Sequence, residues 1–212
     1  MAVMARYPDG FFDLAVVDPP YGAGGGDEVS DGSRFGGRFD RYKQVARTGE
    51  TWAGKFGKKI VSWDNAPGED YFKELFRVSK NQIIWGGNYF GLPPNRCFLI
   101  WRKTNVSESF SMAMAEYAWC SFTGNAKVFE MSAVGIPGRF HPTQKPEALY
   151  RWIYKLYTKP GFKILDTHLG SGSSRRAAYD FGLDFVGCEI DEDYFTKQER
   201  LFEEYTAQQR LF

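Results

Sequence analysis

Short apolar runs alternate with amphipathic stretches along most of this chain. The apolar runs at Leu14 to Asp18, Gln82 to Trp85, Cys97 to Trp101, Tyr117 to Phe122, Lys163 to Asp166 and Phe185 to Glu189 predict strands. Helical spacing predicts helices over Asp70 to Ser79, Pro146 to Tyr157, Ser173 to Phe181 and Asp191 to Gln209. In the last of these, Tyr194, Phe195, Leu201, Phe202 and Tyr205 recur at intervals that would face a sheet. Pro146 suits a first helical position, and Gly182 suits the C-terminal cap of the helix before it. Strands and helices in alternation predict an α/β fold: a doubly wound, mostly parallel sheet with helices on both faces.

One stretch breaks the pattern. Residues 23 to 62 hold nine glycines, eight Lys or Arg and five Asp or Glu, with no strand or helix period. A loop this long inside a compact domain is functional or disordered. Without a second-domain boundary, the 212 residues read as a single domain. Net charge is only +1, so any nucleic-acid footprint must be local. Cys97, Cys120 and Cys188 lack CxxC spacing, which argues against a structural zinc site or a disulfide framework. No metal site is expected. No apolar stretch approaches the roughly 20 residues that span a bilayer, and no secretory leader is visible, so a cytoplasmic location is expected. Aromatics reach 17%, most of them expected in the core, with Tyr21 an exception that could stack on a base.

Two segments carry chemistry. Asp18-Pro19-Pro20-Tyr21 closes the first strand and opens into glycines. The two prolines fix φ and offer no N–H, leaving carbonyls beside a carboxylate and a ring. Together these would receive something flat that donates hydrogen bonds, such as an amino-bearing nucleobase. The second segment follows the strand ending at Asp166: Gly170-Ser171-Gly172, then a helix. Strand, glycine turn and helix form the nucleotide-binding arrangement of doubly wound sheets. Glu189 ends the next strand 19 positions after Gly170, the spacing of an acid that binds ribose hydroxyls. Arg175 stands where a dinucleotide fingerprint has its third glycine, so a ribose-bearing cofactor without phosphates fits better. S-adenosylmethionine is one.

With both segments in hand, the chain resembles the DNA amino-methyltransferases that use S-adenosylmethionine. The likeness covers nearly the whole chain, in the permuted, β-type order with the catalytic motif first. Phe76 to Phe90 and His141-Pro142-Thr143-Gln144-Lys145-Pro146 match further family stretches. The resemblance implies a methyltransferase of Rossmann-like fold. It implies catalytic roles for Asp18, Pro19, Pro20 and Tyr21, and a hold on the cofactor's methionine part for the stretch containing Thr143 and Lys145. Asp166 would sit near the cofactor's amino group. His168 replaces the family's usual Phe and either lines the cofactor pocket or fills that place. With Gly170, Ser171, Gly172, Glu189 and Asp191 these complete the cofactor candidates. An Asp in the first motif position is typical of adenine N6 enzymes, whereas Ser is commoner in cytosine N4 enzymes.

DNA is the expected partner. Arg34, Arg38, Arg41, Lys43 and Arg47 in the glycine-rich loop would meet phosphates. The target-recognition insert between the last strand and His141 is short, at residues 123 to 140, which makes a homodimer or another partner plausible. Family members also carry a strand ahead of the first helix, and this chain starts too late to supply it, so an edge strand is expected to be missing. Cytosine N4 methylation and a non-catalytic nucleic-acid-binding subunit of the same fold are the alternatives.

Overall fold

A computed structural model describes residues 2–21, 65–109, 113–133, 136 and 138–208 of the chain. The chain forms two compact units, Met1–Pro19 with Gly68–Phe212, and Pro20–Pro67. The glycine-rich segment and its DNA-binding candidates Arg34, Arg38, Arg41, Lys43 and Arg47 belong to the second unit and lie outside the described residues.

The first unit is built on a seven-stranded sheet. Its strands are β1 (Leu14–Val17), β2 (Gln82–Trp85), β3 (Phe98–Arg102), β4 (Ala115–Cys120), β5 (Lys127–Glu130), β6 (Lys163–Asp166) and β7 (Asp184–Gly187). They lie in the order β5-β3-β4-β2-β1-β6-β7. Only β4 runs against its neighbours β2 and β3; every other pairing is parallel. Four α-helices are described: α1 (Glu69–Val78), α2 (Glu147–Tyr157), α3 (Ser173–Asp180) and α4 (Glu192–Ala207). Among the described residues β7 is a sheet edge, and the chain before β1 forms a 3-10 turn at Met4–Arg6.

Strand β1 shows why the sheet has two apolar faces. All four of its residues are buried. Leu14 and Val16 pack with Leu149, Ile153 and Ala177 from α2 and α3. Ala15 and Val17 point the other way, into a cluster with Tyr71, Leu75 and Val78 of α1. Alternation along a strand buried on both sides gives a continuous hydrophobic run, as expected for a central parallel strand.

Helix α3 ends in a Schellman cap. The Gly182 N–H donates to the Tyr179 carbonyl at 3.1 Å, and the Leu183 N–H reaches the Ala178 carbonyl at 3.1 Å. The motif needs a left-handed residue, and Gly182 has φ of +61°. At the start of α2, Pro146 is the N-cap and not the first helical residue; its ψ of 139° is extended.

Strand β7 ends at Gly187, two residues before the expected Glu189, and two further elements depart from the expected pattern. Strand β4 starts at Ala115, two residues earlier than the apolar run, because Ala115 and Glu116 pair with Arg102 and Trp101 of β3. Strand β5 lies within the expected recognition insert and pairs with β3. Its residues alternate between half-buried and exposed at the sheet edge, so four residues leave no apolar run to read.

Consecutive strands diverge between β1 and β6. From β1 the chain proceeds to β2 on one side, and from β6 to β7 on the other. Ligands of open α/β sheets bind beyond the carboxyl ends of the strands at such a reversal. Asp18 follows β1 there and Asp166 ends β6.

Candidate active site

Strand β1 delivers Asp18 to the carboxyl edge of the sheet, with Pro19 buried behind it. Reversed strand β4 begins at that same edge, which brings Glu116 to it. Lys145, just before α2, connects the two acids. Its Nζ donates to Asp18 Oδ2 and lies 3.1 Å from Glu116 Oε2. The Lys145 side chain is only 3% exposed, and its ammonium sits 5.2 Å from the centre of the Trp85 ring. Glu116 also pairs with Lys103 at 2.7 Å, so acids and lysines alternate as Asp18, Lys145, Glu116, Lys103.

Burial opposes charge on Lys145, but Asp18 and Glu116 outweigh it and hold its pKa above the ordinary value. Burial likewise pushes the Glu116 carboxyl up, and Lys145 and Lys103 more than reverse this, taking it down to about 2. Lys145 and Glu116 therefore stay ionised as a pair, the condition under which buried charges are tolerated.

Beside it, β6 ends in Asp166, which is 2% exposed. Its carboxylate accepts from Ser174 Oγ and, at 3.0 Å, from the His168 N–H. Burial pushes its pKa up to about 7; the two donors pull it down, while the charges of Asp18 and Glu189 push it further up. A carboxyl in this condition favours a cationic partner.

The glycine loop follows. Gly170 and Gly172 have φ of +54° and +70°. A Cβ on Gly170 would stand 3.4 Å from the His141 ring, and one on Gly172 only 2.9 Å from Gln198 Oε1. Glu189 straps this loop to the turn after β7. It accepts from the Gly170 N–H at 2.7 Å on one oxygen, and from the Ile190 and Asp191 N–H groups at 2.9 and 3.0 Å on the other.

Other expected residues take more local positions. Asp191 caps α4, accepting from the Asp193 and Tyr194 N–H groups at 3.0 and 3.1 Å. Thr143 is exposed, and its hydroxyl lies 3.2 Å from His141 Nδ1. His141 is buried against the edge of Tyr194, and burial takes its pKa down to about 4, leaving the ring neutral. His168 turns toward Thr167, 3.0 Å from its hydroxyl, which in turn lies 2.6 Å from the Tyr71 hydroxyl on α1. Ser171 Oγ lies 2.9 Å from Ser173 Oγ. Pro20 and Tyr21 fall in the second unit.

Asp18, Lys145, Asp166, the glycine loop and Glu189 thus share one sheet edge. Glu116 was not among the expected site residues. Its signal is an acid two positions before Ala118 on the alternating core face of β4. Ser174, which tethers Asp166, reads in sequence as an ordinary first-turn serine. Among the described residues no group of three His, Cys, Asp or Glu could hold a metal, and no helix is long and apolar enough to cross a membrane. The three cysteines are free.

A strand reversal, a glycine turn and an acid after the next strand mark a doubly wound α/β fold, and solved DNA methyltransferases share it. M1.HpyAVI in complex with SAM superposes with a TM-score of 0.55 at 17% identity, over 94% of this chain and 91% of that one. The cytosine-N4-specific PvuII DNA methyltransferase gives 0.57 at 13% identity, over 96% and 87%. The DNA methylase family model matches residues 96–200. DNA adenine methyltransferase YhdJ of Escherichia coli (strain K12) is 43% identical over 240 residues, covering 92% of this chain and 77% of that protein. The chain belongs to the DNA methylase family of N6 and N4 amino-methyltransferases.

Proposed function

We propose that this protein transfers a methyl group from S-adenosylmethionine to the N6 amino group of adenine in DNA. The observation that carries the reading is the placement of Asp18 and Asp166 at the carboxyl ends of adjacent strands β1 and β6, where the strand order reverses. The 43% identity to an adenine methyltransferase supports adenine as the base.

The residues present suit the cofactor. Asp166 is a buried carboxyl poised near neutrality, matched to an ammonium group. Glu189 has both oxygens anchored by backbone donors, yet a carboxylate offers about four acceptor sites, which leaves capacity for ribose hydroxyls. Gly170 keeps open a cradle that a Cβ would narrow against His141. When bound, S-adenosylmethionine supplies an electrophilic methyl group on a positively charged sulfur.

The protein's own task is to make a poor nucleophile competent. The N6 lone pair of adenine is delocalised into the ring. Asp18 and the Pro19 carbonyl would accept the two amino hydrogens and localise that lone pair, and Tyr21 would stack on the flipped base. As acceptor of an N6–H bond, Asp18 is also the first stop for the proton that the methylated amine gives up. Fixed acceptors of this kind contribute by positioning and by electrostatics already in place. Replacing Asp18 by Ala should therefore lower kcat by about 100-fold or more while S-adenosylmethionine binding, read by calorimetry, is retained. Unchanged methyl transfer in Asp18→Ala would overturn the assignment. An undetectable affinity of the wild-type protein for S-adenosylmethionine would favour a non-catalytic subunit instead.

A further inference from the structure

Lys145 stands in the stretch expected to hold the cofactor, yet its ammonium is engaged with acids at the sheet edge. It carries three N–H donors. One meets Asp18 Oδ2, a second is within 3.1 Å of Glu116, and the Trp85 ring lies 5.2 Å away. With 3% of the side chain exposed, the group faces these partners and hardly any solvent.

We propose that Glu116, acting through Lys145, is a positioning residue for the Asp18 carboxylate. The inference rests on the reading of Asp18 as acceptor of the amino hydrogens. A lysine bonded to Asp18 alone would fix that carboxylate but would also draw off its negative charge, making it a weaker acceptor. Glu116 offsets this. It shares the ammonium, so Lys145 and Glu116 together are neutral and Asp18 keeps its charge for the substrate. Lys103, 2.7 Å from the other Glu116 oxygen, gives that carboxylate a second cation, so it is held at both oxygens. Lys145 thus holds the Asp18 carboxylate in place from behind, and Glu116 weakens the pull of the ammonium on its charge. Lone-pair localisation depends on acceptor strength and direction, and misplacement of about 1 Å at a reacting centre can lower rate 100-fold.

The test uses the full chain, tritiated S-adenosylmethionine and plasmid DNA from a methylation-free host. Glu116→Gln should lower kcat about tenfold, with KM for S-adenosylmethionine and for DNA within about threefold of wild type. Glu116→Asp, which restores the charge, should recover most of the rate. In the Lys145→Met background, Glu116→Gln should have little further effect, since the two act as one unit. Should Lys145→Met fail to fold, the Gln and Asp variants at 116 still decide the matter. A wild-type kcat in Glu116→Gln, a loss confined to KM, or no recovery in Glu116→Asp would overturn the proposal. Asp18→Ala separates the two layers. If it is inactive while Glu116→Gln is unimpaired, only the positioning role fails; if it retains full kcat, the reading of Asp18 fails as well.

Discussion

Replacing Asp166 by Asn should make the protein more stable at alkaline pH while abolishing tight cofactor binding. The carboxyl of Asp166 has a pKa of about 7 in the folded protein against an ordinary 3.8, because burial penalises its charged form. The native state therefore holds a proton between those values that the unfolded chain has released. Stability contributed by this group is present in full below the unfolded value and is lost as pH climbs through the folded one. The whole difference corresponds to roughly 4 kcal/mol, of which roughly 2–3 kcal/mol falls between pH 5 and pH 8. Asn carries no such penalty. Its carbonyl can keep the His168 N–H bond, and the Ser174 hydroxyl can rotate to accept from its amide. Urea unfolding of both proteins at pH 5 and pH 8 measures the difference. The advantage of the variant should grow by about 2 kcal/mol between those pH values, or roughly 4–8 °C in Tm for a chain of this size. Calorimetry should at the same time show S-adenosylmethionine affinity reduced at least about tenfold, a gain in stability bought with function. A variant whose stability follows the wild-type pH dependence would show that burial does not raise the Asp166 pKa.

Gly172→Ala should lose about 1–2 kcal/mol in denaturant unfolding, since φ of +70° strains a residue with a Cβ and Gln198 must shift. Asp191→Ala should lose about 1 kcal/mol, the typical value of an N-cap, seen as a Tm lower by about 2–4 °C. The His141 ring should stay neutral down to about pH 4, which a proton-detected NMR titration of its imidazole would reveal as an absence of change between pH 8 and pH 5.

Much of the fold is legible because each central strand is buried on both faces and each helix is punctuated. Gln82–Trp85 and Lys163–Asp166 emerge at their observed limits since an uninterrupted apolar run has no competing reading. Gly182 is recognisable as a helix end because the Schellman geometry demands a left-handed residue. Lys127–Glu130 is not legible: an edge strand takes its stability from pairing with β3, and two apolar residues between two charged ones leave little local trace. At the site, Asp18, Asp166 and the glycine loop are visible because strand ends and turn chemistry announce them. Glu116 is invisible in isolation because its meaning comes from Lys145 and Lys103, 29 and 13 positions away in sequence, meeting it at one sheet edge. Asp191 shows the opposite case, where a residue read for its ligand potential is anchored as a helix cap.

In the proposed reaction Asp18 directs methyl transfer to adenine N6. The most direct test is nucleoside mass spectrometry of DNA from a methylation-free host expressing the wild-type protein or Asp18→Ala. N6-methyladenine with the wild-type protein and none with the variant is the predicted result; 4-methylcytosine in its place, or equal N6-methyladenine from both proteins, would contradict it.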